Sequence, residues 1–407
     1  MTESTSLLTS TQAAARLGVK PATLYAYVSR GLVPRHRSTD GRTSLFDPAD
    51  IARLAKRAGA GRGAPSDVAV SSELSLVEPG ANRILYRGVD VCSACRDLRF
   101  EELAWWLWTG SLERMDTWRA DARSLAAAMR AHATLARRAA SVRRVGLIAA
   151  AIAVAHADRA PSMGTAAASD VMACLADAFP GPEAAAARFA IRLSTKLARR
   201  PLPIAAVGVV DASLSLSCER GLTPPALIAR LTVASSGSIA DAVAAAMTTA
   251  TSEARLIARI ESAFAAAAER GARHAAGALD GTAKAAAFTH DASKDARAVV
   301  LFDMLRHALP AEAAVVDALA SEFSKRGAGH PTDAYALGAV AWASGMPSGS
   351  APVLALVSAA VGWIAHALEE QRTPTPFRLK LAYTGPTSRI ATPRRPIDAV
   401  REYLSRQ

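Results

Sequence analysis

The sequence predicts a mainly α-helical protein made of a small basic head and a much larger helical remainder. About half of the 407 residues are apolar but only 5% are aromatic, a composition typical of Ala-rich helices rather than β-sandwich strands. Helical patterns of apolar residues follow one another and are interrupted by proline and glycine. Residues 57–67 are rich in Gly, Ala, Pro and Arg, which is the composition of a linker.

The head carries half of the protein's excess positive charge. Residues 1–65 hold ten basic residues against four acidic ones, which is +6 of the net charge of +12. Such an excess in a short segment predicts binding to a polyanion. The opening segment MTESTSLLTS has neither the basic region nor the apolar core of a secretion signal, so we expect a soluble, cytoplasmic protein.

The head pattern predicts helix, turn, helix, hairpin and helix. Ser10 or Thr11 is expected to cap the first helix. Pro21 is expected at the first position of the second, where proline is best tolerated. Asp40-Gly41 is a strong signal for a two-residue hairpin turn. A third helix is expected to begin after Asp47 and to run to about Arg57.

This order, with the segment LGVKPATLYAYVSRGLVP, resembles the winged helix-turn-helix of MerR and excisionase-like proteins over most of residues 7–57. The resemblance implies that the second helix enters the major groove of DNA and that the hairpin, or wing, contacts phosphates. The alternative is a protein-docking module whose basic face is merely solvated. The residues expected at DNA are Lys20, Thr23, Tyr25 and Arg30 on the second helix and Arg35, Arg37 and Arg42 on the wing.

The larger part of the chain opens with a predicted hairpin and then becomes helical. LSLVEPGANRILYRGVDV alternates apolar residues around a turn at Pro79–Asn82. FEELAWWLWTGSL reads as a helix that stops at Gly110. Two later apolar runs, Val145–Ala157 and Pro352–Leu368, are shorter than the roughly 20 residues that a membrane span needs. We therefore expect no membrane segment.

The cysteines indicate neither a disulfide scaffold nor a metal centre. The chain has four of them in 407 residues, too few for a disulfide framework at this length. Cys92 and Cys95 form a CxxC pair, but no second pair or histidine cluster completes a zinc site. We predict two buried thiols one helical turn apart and no metal.

Two segments of this larger part resemble citrate synthases. ILYRGVDV…RFEELAWWLWTGSL resembles their opening, and ASGMP…VGWIAHALEEQR…YTGP resembles their end. The resemblance spans roughly residues 73–390 and implies an all-α fold with a large and a small helical domain, the small one at about 257–350. It also implies a dimer in which the helix at Pro352–Leu368 lies near the two-fold axis.

The resemblance implies an acyltransferase that condenses acetyl-CoA with oxaloacetate. In this family a carboxylate takes a proton from the acetyl group and one histidine stabilises the enol. A second histidine serves the oxaloacetate carbonyl, and arginines hold its carboxylates. No permanently bound cofactor is expected, and acetyl-CoA or another acyl-CoA would be the substrate or ligand.

The histidine positions are matched only in part. AFTHDASKDARAV supplies His290 and Arg297 for one histidine and an oxaloacetate-binding arginine. The other histidine falls at Arg255 in the alignment that preserves element lengths. A second alignment uses His274 but removes much of the small domain. In the favoured alignment His274 is a surface residue at a helix end.

The carboxylate and arginine positions also depart from the family. Ala334 aligns with the catalytic aspartate without a gap, and Asp333, one residue away, is expected to cap its helix instead. Ala359 stands where the family has an arginine before VGW. Arg378 matches the arginine that in the family reaches into the other subunit's site.

These departures leave three hypotheses for a chain with a head at 1–58, a linker at 59–67 and a citrate synthase-like part at 68–407. The first is a pseudoenzyme that acts as a DNA-binding, metabolite-sensing regulator or as a helper subunit. The second is an active citrate or methylcitrate synthase using His274 or His290 with Asp333. The third is a scaffold that only dimerises the heads. The expected partners are a second copy or a citrate synthase paralogue, DNA, oxaloacetate and an acyl-CoA, and no membrane.

Overall fold

The chain divides into two compact units, Met1–Ser71 and Ser72–Gln407. The predicted linker, like most of the tail that follows the last helix, lies outside the described residues. The structure is a computed structural model and describes residues 7–16, 24–25, 27–28, 33–38, 44–48, 50–51, 70–78, 83–112, 118–135, 141–157, 164–182, 188–279, 281–289 and 294–375.

The first unit joins a three-stranded sheet to helical segments. Strands β1 (Leu8–Thr9), β2 (His36–Arg37) and β3 (Ser44–Phe46) are antiparallel in the order β1-β3-β2, so the predicted hairpin between 36 and 46 is confirmed. Helix α1 spans Ser10–Arg16, and residues 24–25, 27–28, 48 and 50–51 are also helical. The small core consists of Ala13, Ala14, Leu24, Val33, Phe46 and Ile51.

Helix α1 is capped by Thr9, not by Ser10 or Thr11 as the sequence suggested. The hydroxyl of Thr9 accepts a hydrogen bond from the backbone N–H of Gln12 (3.4 Å), and the Gln12 side chain accepts one from the N–H of Thr9 (2.9 Å). This reciprocal capping box satisfies two N–H groups at the helix start. The prediction was wrong by one residue because Ser and Thr occupy three successive positions there.

The second unit is almost entirely helical. Its strands are β4 (Ser75–Glu78), β5 (Arg83–Tyr86) and β6 (Val89–Asp90), which form one antiparallel sheet, and the short pair β7 (Phe288–Thr289) and β8 (His330–Pro331). Its helices are α2 (Val91–Ala94), α3 (Phe100–Thr109), α4 (Ala122–Leu135), α5 (Ser141–Ala157), α6 (Gly164–Asp177), α7 (Phe189–Ala198), α8 (Ile204–Ser217), α9 (Pro224–Ser236), α10 (Ile239–Thr249), α11 (Thr251–Arg270), α12 (Ala272–Ala278), α13 (Gly281–Ala287), α14 (Ala296–Ala308), α15 (Pro310–Lys325), α16 (Asp333–Ala343) and α17 (Ser350–Arg372).

Helix α3 shows how local sequence sets the element bounds. The side chain of Glu102 accepts a hydrogen bond from the backbone N–H of Arg99 (2.8 Å) and so closes the first turn. Gly110 ends the helix with φ 74°, a left-handed conformation that glycine adopts without steric cost. The predicted stop at Gly110 is confirmed.

Helix α17 lies at the centre of the second unit, where it packs against α3, α5, α6, α8, α9, α10, α11 and α16. With 23 residues and an 18-residue stretch of mean hydropathy 1.8, it is long and apolar enough to cross a membrane. The argument from run length therefore underestimated this helix. However, 89% of that stretch is buried inside the unit, so burial in a protein core accounts for its apolar character.

One position of α17 requires glycine. A Cβ on Gly362 would lie 2.5 Å from Oε2 of Glu219 and closer still to the carbonyl oxygen of Cys218. The missing side chain lets the segment Cys218–Gly221, between α8 and α9, pass directly over α17. This close approach sets the position of the charged residues described next.

Candidate functional site

A cleft of about 510 Å³, part of it open to solvent, lies between the Cys218–Gly221 segment and helices α9, α11 and α17. Most of its lining is apolar, with Ile257, Leu356, Ala359 and Trp363 among the wall residues. Charged groups enter it from the Cys218–Gly221 segment and from the first turn of α11. The chemistry of the cleft therefore depends on a few ionic side chains set in an apolar wall.

Arg220 is bound to two carboxylates from distant parts of the chain. Its Nη2 lies 2.5 Å from Oδ2 of Asp333, and its Nη1 is paired with Glu253. Its Nε is buried and has no hydrogen-bond partner among the described residues. The Nε edge of the Arg220 guanidinium therefore faces no carboxylate among the described residues.

Arg297 is held by a second aspartate as well as by Asp333. Its Nε and Nη2 donate to the two carboxylate oxygens of Asp295 at 3.0 and 2.9 Å, and its Nη1 lies 3.0 Å from Oδ2 of Asp333. Asp295 also accepts hydrogen bonds from the backbone N–H groups of Arg297 (3.1 Å) and Asp333 (3.0 Å). Parallel hydrogen bonds of this kind fix a guanidinium in one orientation.

Asp333 is the common partner of both arginines and is 6% exposed. Burial by itself would raise the pKa of Asp333, but Arg220 and then Arg297 outweigh it, so that its pKa lies below the ordinary value. The expected capping role was wrong: the N-cap of α16 is Thr332, and Asp333 is the first helical residue. A carboxylate stabilised as an anion by two guanidinium groups is a weak base.

The structure brings together only two of the residues predicted for catalysis and substrate binding, Asp333 and Arg297. His274 is exposed on α12 and makes no hydrogen bond or ion pair to a described residue. His290 and Arg378 lie outside the described residues. Arg255 is exposed on α11, whereas its neighbours Glu253 and Ala254 line the cleft.

Sequence reasoning missed Arg220, Glu253 and Asp295. The segment Cys-Glu-Arg-Gly at 218–221 did carry a signal, because two adjacent charges stand between the apolar helix α8 and the Pro-Pro start of α9. Asp295 also carried one, because it stands two residues before Arg297 in the segment AFTHDASKDARAV that resembles the family. Glu253 carried none, because it reads as an ordinary residue of a first helical turn.

A second, largely buried charged cluster joins α9 to α17. Arg230 is 1% exposed; its Nε donates to Nδ1 of His366 (3.1 Å), its Nη1 lies 3.0 Å from Glu370, and its Nη2 is paired with Glu369. Since Nδ1 of His366 accepts, the ring proton sits on Nε2, which lies 3.4 Å from Glu219. Arg230 and its two glutamates bind one another, whereas Nε2 of His366 makes no hydrogen bond to a described residue. We assign the cluster a structural role.

The head residues predicted to contact DNA are only partly described. Tyr25 is 40% exposed, and hydrogen bonds with Ser44 of β3 and then with Ser10 lower the pKa of its hydroxyl. Arg35 is exposed, and Arg37 lies in β2, its side chain not described. Lys20, Thr23, Arg30 and Arg42 fall outside the described residues. Tyr25 thus connects the second helix to the wing.

The described residues contain no group of three or more His, Cys, Asp or Glu side chains arranged to hold a metal ion. Cys95 is buried, whereas Cys92 is half-buried rather than fully buried as predicted. Burial raises the pKa of the Cys92 thiol to about 11 and that of Cys95 to about 12. Thiols with such values are protonated and unreactive at neutral pH.

Comparisons with known proteins agree with this architecture. Residues 63–380 match the family described as citrate synthase, C-terminal domain, and residues 8–56 match the MerR HTH family of regulatory proteins. No curated protein is similar to the chain in sequence at a significant level.

Solved citrate synthases share the fold at low sequence identity. The enzyme from Thermotoga maritima MSB8 is 16% identical, with a TM-score of 0.61 over 82% of this chain and 99% of that one. The Thermoplasma acidophilum enzyme, solved as a ternary complex with carboxymethyl coenzyme A and oxaloacetate, is 17% identical, with a TM-score of 0.63 over 80% and 97%. The Pyrobaculum aerophilum enzyme is 18% identical, with a TM-score of 0.57 over 89% and 97%.

The predicted fold class, a helix-turn-helix head on an all-α citrate synthase fold, is thereby confirmed. The chain belongs to the citrate synthase family and carries a MerR-type helix-turn-helix at its N-terminus.

Proposed function

We propose that this protein is a DNA-binding regulator built on the citrate synthase fold, with a cleft that does not catalyse the condensation of an acyl-CoA with oxaloacetate. One observation carries the proposal: Arg220, which lines the cleft, and Arg297, which shares Asp333 with it, are already bound to carboxylates of the same chain. The head supplies DNA binding, and the large unit supplies ligand sensing. We expect the protein to be soluble and cytoplasmic.

The charge of the cleft disfavours a dicarboxylate ligand. Three carboxylates, those of Glu253, Asp295 and Asp333, surround the two guanidinium groups of Arg220 and Arg297, so the cluster is net negative. Oxaloacetate would have to displace one of these carboxylates to reach a guanidinium. The position before VGW, where the family has an arginine, is Ala359, which offers only a methyl group to the cleft.

The lowered pKa of Asp333 argues against the alternative of an active citrate or methylcitrate synthase that uses Asp333 as its base. A general base works best when its pKa lies near the operating pH. Arg220 and Arg297 lower the pKa of Asp333, which moves it further from neutral pH. Moving that carboxylate onto a substrate would also leave both arginines partly unpaired in a buried place, which is costly.

A turnover assay tests the catalytic part of this proposal. Purified full-length protein is incubated with acetyl-CoA or propionyl-CoA and oxaloacetate, and the released CoA thiol is measured. We expect turnover at background, because losing a base or a charge clamp costs about two to four orders of magnitude each. Robust turnover that Asp333→Ala abolishes would show that this chain is an active synthase.

Ligand binding separates a sensing regulator from a scaffold that only dimerises the heads. A ligand that binds only the folded state raises the melting temperature of the protein. We expect acyl-CoA to raise it and oxaloacetate alone to leave it unchanged. If neither they nor any other metabolite in a screen shifts the melting temperature, the scaffold hypothesis replaces ours.

DNA binding is tested with the full chain and a library of duplexes. A dimer presents two heads, so we expect selection of a palindromic site, with an affinity that falls steeply as salt rises. Light scattering establishes whether the dimer forms. If no duplex is bound in a salt-dependent way, the head is a protein-docking module instead.

A helper role rests on Arg378, which stands in TPFRLKLAYTGP outside the described residues. A planar guanidinium can hold a carboxylate through two hydrogen bonds. In a mixed dimer with an active paralogue, Arg378 would complete the partner's oxaloacetate site. Arg378→Ala should then raise the partner's KM for oxaloacetate without affecting assembly. An unchanged KM in a verified mixed dimer would exclude this role.

A further inference from the structure

A second cavity of the large unit, here called the basic cavity, encloses about 540 Å³, part of it open to solvent. Helices α4, α5 and α7 each contribute at least one basic residue to it: His132, Arg144, Lys196 and Arg199. The loop before α17, with Ser348 and Gly349, and the first residue of α17, Ser350, close one side. No acidic residue lines this cavity among the described residues.

The basic residues of this cavity lack the partners that other cations of the unit have. Arg192, Arg220, Arg230 and Arg297 each bind at least one carboxylate. Arg144, Lys196 and Arg199, by contrast, form no ion pair with any described residue, and Nε of Arg144 is buried without a hydrogen-bond partner. Like charges gathered around one space repel one another, and an anion placed among them would relieve this repulsion.

The remaining lining fits a small organic anion better than a bare ion. Phe179, Leu197 and Val353 supply apolar wall, and small-molecule sites combine such apolar wall with a few placed polar groups. Burial, together with Arg144 and Arg199, lowers the pKa of His132, so its imidazole is neutral at pH 7 and can donate or accept one hydrogen bond. Arg199 occupies a left-handed position (φ 56°) at the end of α7, where glycine is favoured.

We propose that the basic cavity binds a phosphorylated small molecule, with its phosphate groups held by Arg144, Lys196 and Arg199. Guanidinium and ammonium groups are the side chains that bind phosphate most strongly. The apolar wall takes the organic part of the ligand. This site is separate from the cleft at Arg220, and it stands whether or not the cleft is catalytic.

Pyrophosphate is the probe that tests the proposal, measured by titration calorimetry on the full-length protein at constant ionic strength. Arg144→Gln and Lys196→Gln each remove one cation, and each should weaken pyrophosphate binding roughly ten- to a hundredfold, because a hydrogen bond to a charged group contributes that much. Arg143→Gln is the matched control, since Arg143 is the exposed neighbour of Arg144 on α5. Its affinity should stay within about twofold of the wild type.

Melting without ligand shows that the variants are folded. Removing one of several repelling cations should leave the melting temperature unchanged or slightly higher. A merely structural role for Arg144 or Lys196 would lower it instead. The proposal is overturned if both variants melt at a lower temperature than the wild type and their folded fraction binds pyrophosphate with unaltered affinity.

Three other outcomes also overturn it. Absence of pyrophosphate binding to the wild type at millimolar concentration would show that the cavity does not hold phosphate. Equal affinity in all four proteins would place the anion elsewhere, for example on the basic head. If Arg144→Gln and Lys196→Gln weaken binding to a DNA duplex as strongly as they weaken binding to pyrophosphate, the surface is a nucleic-acid contact.

Discussion

Replacing Gly362 by alanine should destabilise the large unit more than the same change at any other glycine in the described helices. The added Cβ would lie 2.5 Å from Oε2 of Glu219 and even closer to the carbonyl oxygen of Cys218. That carbonyl belongs to the backbone, so relief requires the whole Cys218–Gly221 segment to move. Overpacking typically costs 1–3 kcal/mol, and we expect about 3 kcal/mol or more here because the nearest atom is a backbone carbonyl oxygen.

Two other helical glycines provide the matched series. A Cβ on Gly338 would lie 3.1 Å from Cγ2 of Ile260 and 3.2 Å from both the backbone nitrogen of Glu261 and Cε2 of Phe264. These contacts are tight but longer than those at Gly362, so we expect a loss of ~1 kcal/mol. A Cβ on Gly208 would meet nothing within 4 Å. Gly208→Ala should therefore stabilise α8 by ~0.5–1 kcal/mol through helix propensity alone.

Urea unfolding followed by circular dichroism at 222 nm measures the series. The urea concentration at the unfolding midpoint should fall in the order Gly208→Ala, wild type, Gly338→Ala, Gly362→Ala. The dependence of the unfolding free energy on urea should be similar in all four proteins. Displacing the Cys218–Gly221 segment should also move Arg220 away from Asp333. A Gly362→Ala protein that unfolds at the wild-type urea concentration would refute the close packing of this segment on α17.

Asp333→Asn should destabilise the protein most at neutral pH. Burial raises the pKa of Asp333, but Arg220 and Arg297 lower it more. A carboxylate whose pKa is lower in the folded state stabilises the protein at pH values above its unfolded pKa of ~3.9. This stabilisation is lost as the pH falls through the folded-state pKa. The difference in urea midpoint between wild type and variant should therefore shrink below about pH 4, and a constant difference from pH 7 to 3 would contradict the ion pairs. Tyr25→Phe removes the hydroxyl that bonds Ser44 and should weaken binding to all duplexes about fivefold by loosening the wing, whereas selective loss for one site would mean that the hydroxyl contacts a base. Arg35→Ala should reduce the slope of log affinity against log salt by about 1 if Arg35 contacts a phosphate, and an unchanged slope would remove it from the interface.

The sequence predicted what depends on local pattern and missed what depends on distant pairing. The hairpin formed by β4 and β5, the stop at Gly110 and the two-part fold follow from residues that are neighbours in the chain or from a family motif. Asp333 was assigned to a helix cap because capping is a local property. Its actual partner Arg220 lies 113 residues away, and no periodicity or turn signal carries that information.

The same limit applied to the cleft and to the basic cavity. Arg144 and Lys196 are ordinary basic residues in their own helices. Only the packing of α5 and α7 shows that they face one space without an acid between them. The pattern of charges along a chain indicates which segments lie at the surface, whereas the charge of a cavity depends on which helices the fold brings together.

The largely buried cluster of Arg230 with His366, Glu369 and Glu370 constrains how this protein can change over generations. Removing Arg230 leaves the fully buried carboxylate of Glu370 without its cation, which costs about 3–5 kcal/mol, yet replacing the whole group by apolar residues of similar volume can be neutral or better. Mutation proceeds one residue at a time and must pass through those destabilised intermediates. The cluster is therefore retained because its single-substitution intermediates are less stable, and no activity is needed to explain it. Neutral mutation can replace Ala359 or Arg255 in single steps, whereas the charged residues that join α9 to α17 are expected to stay unchanged.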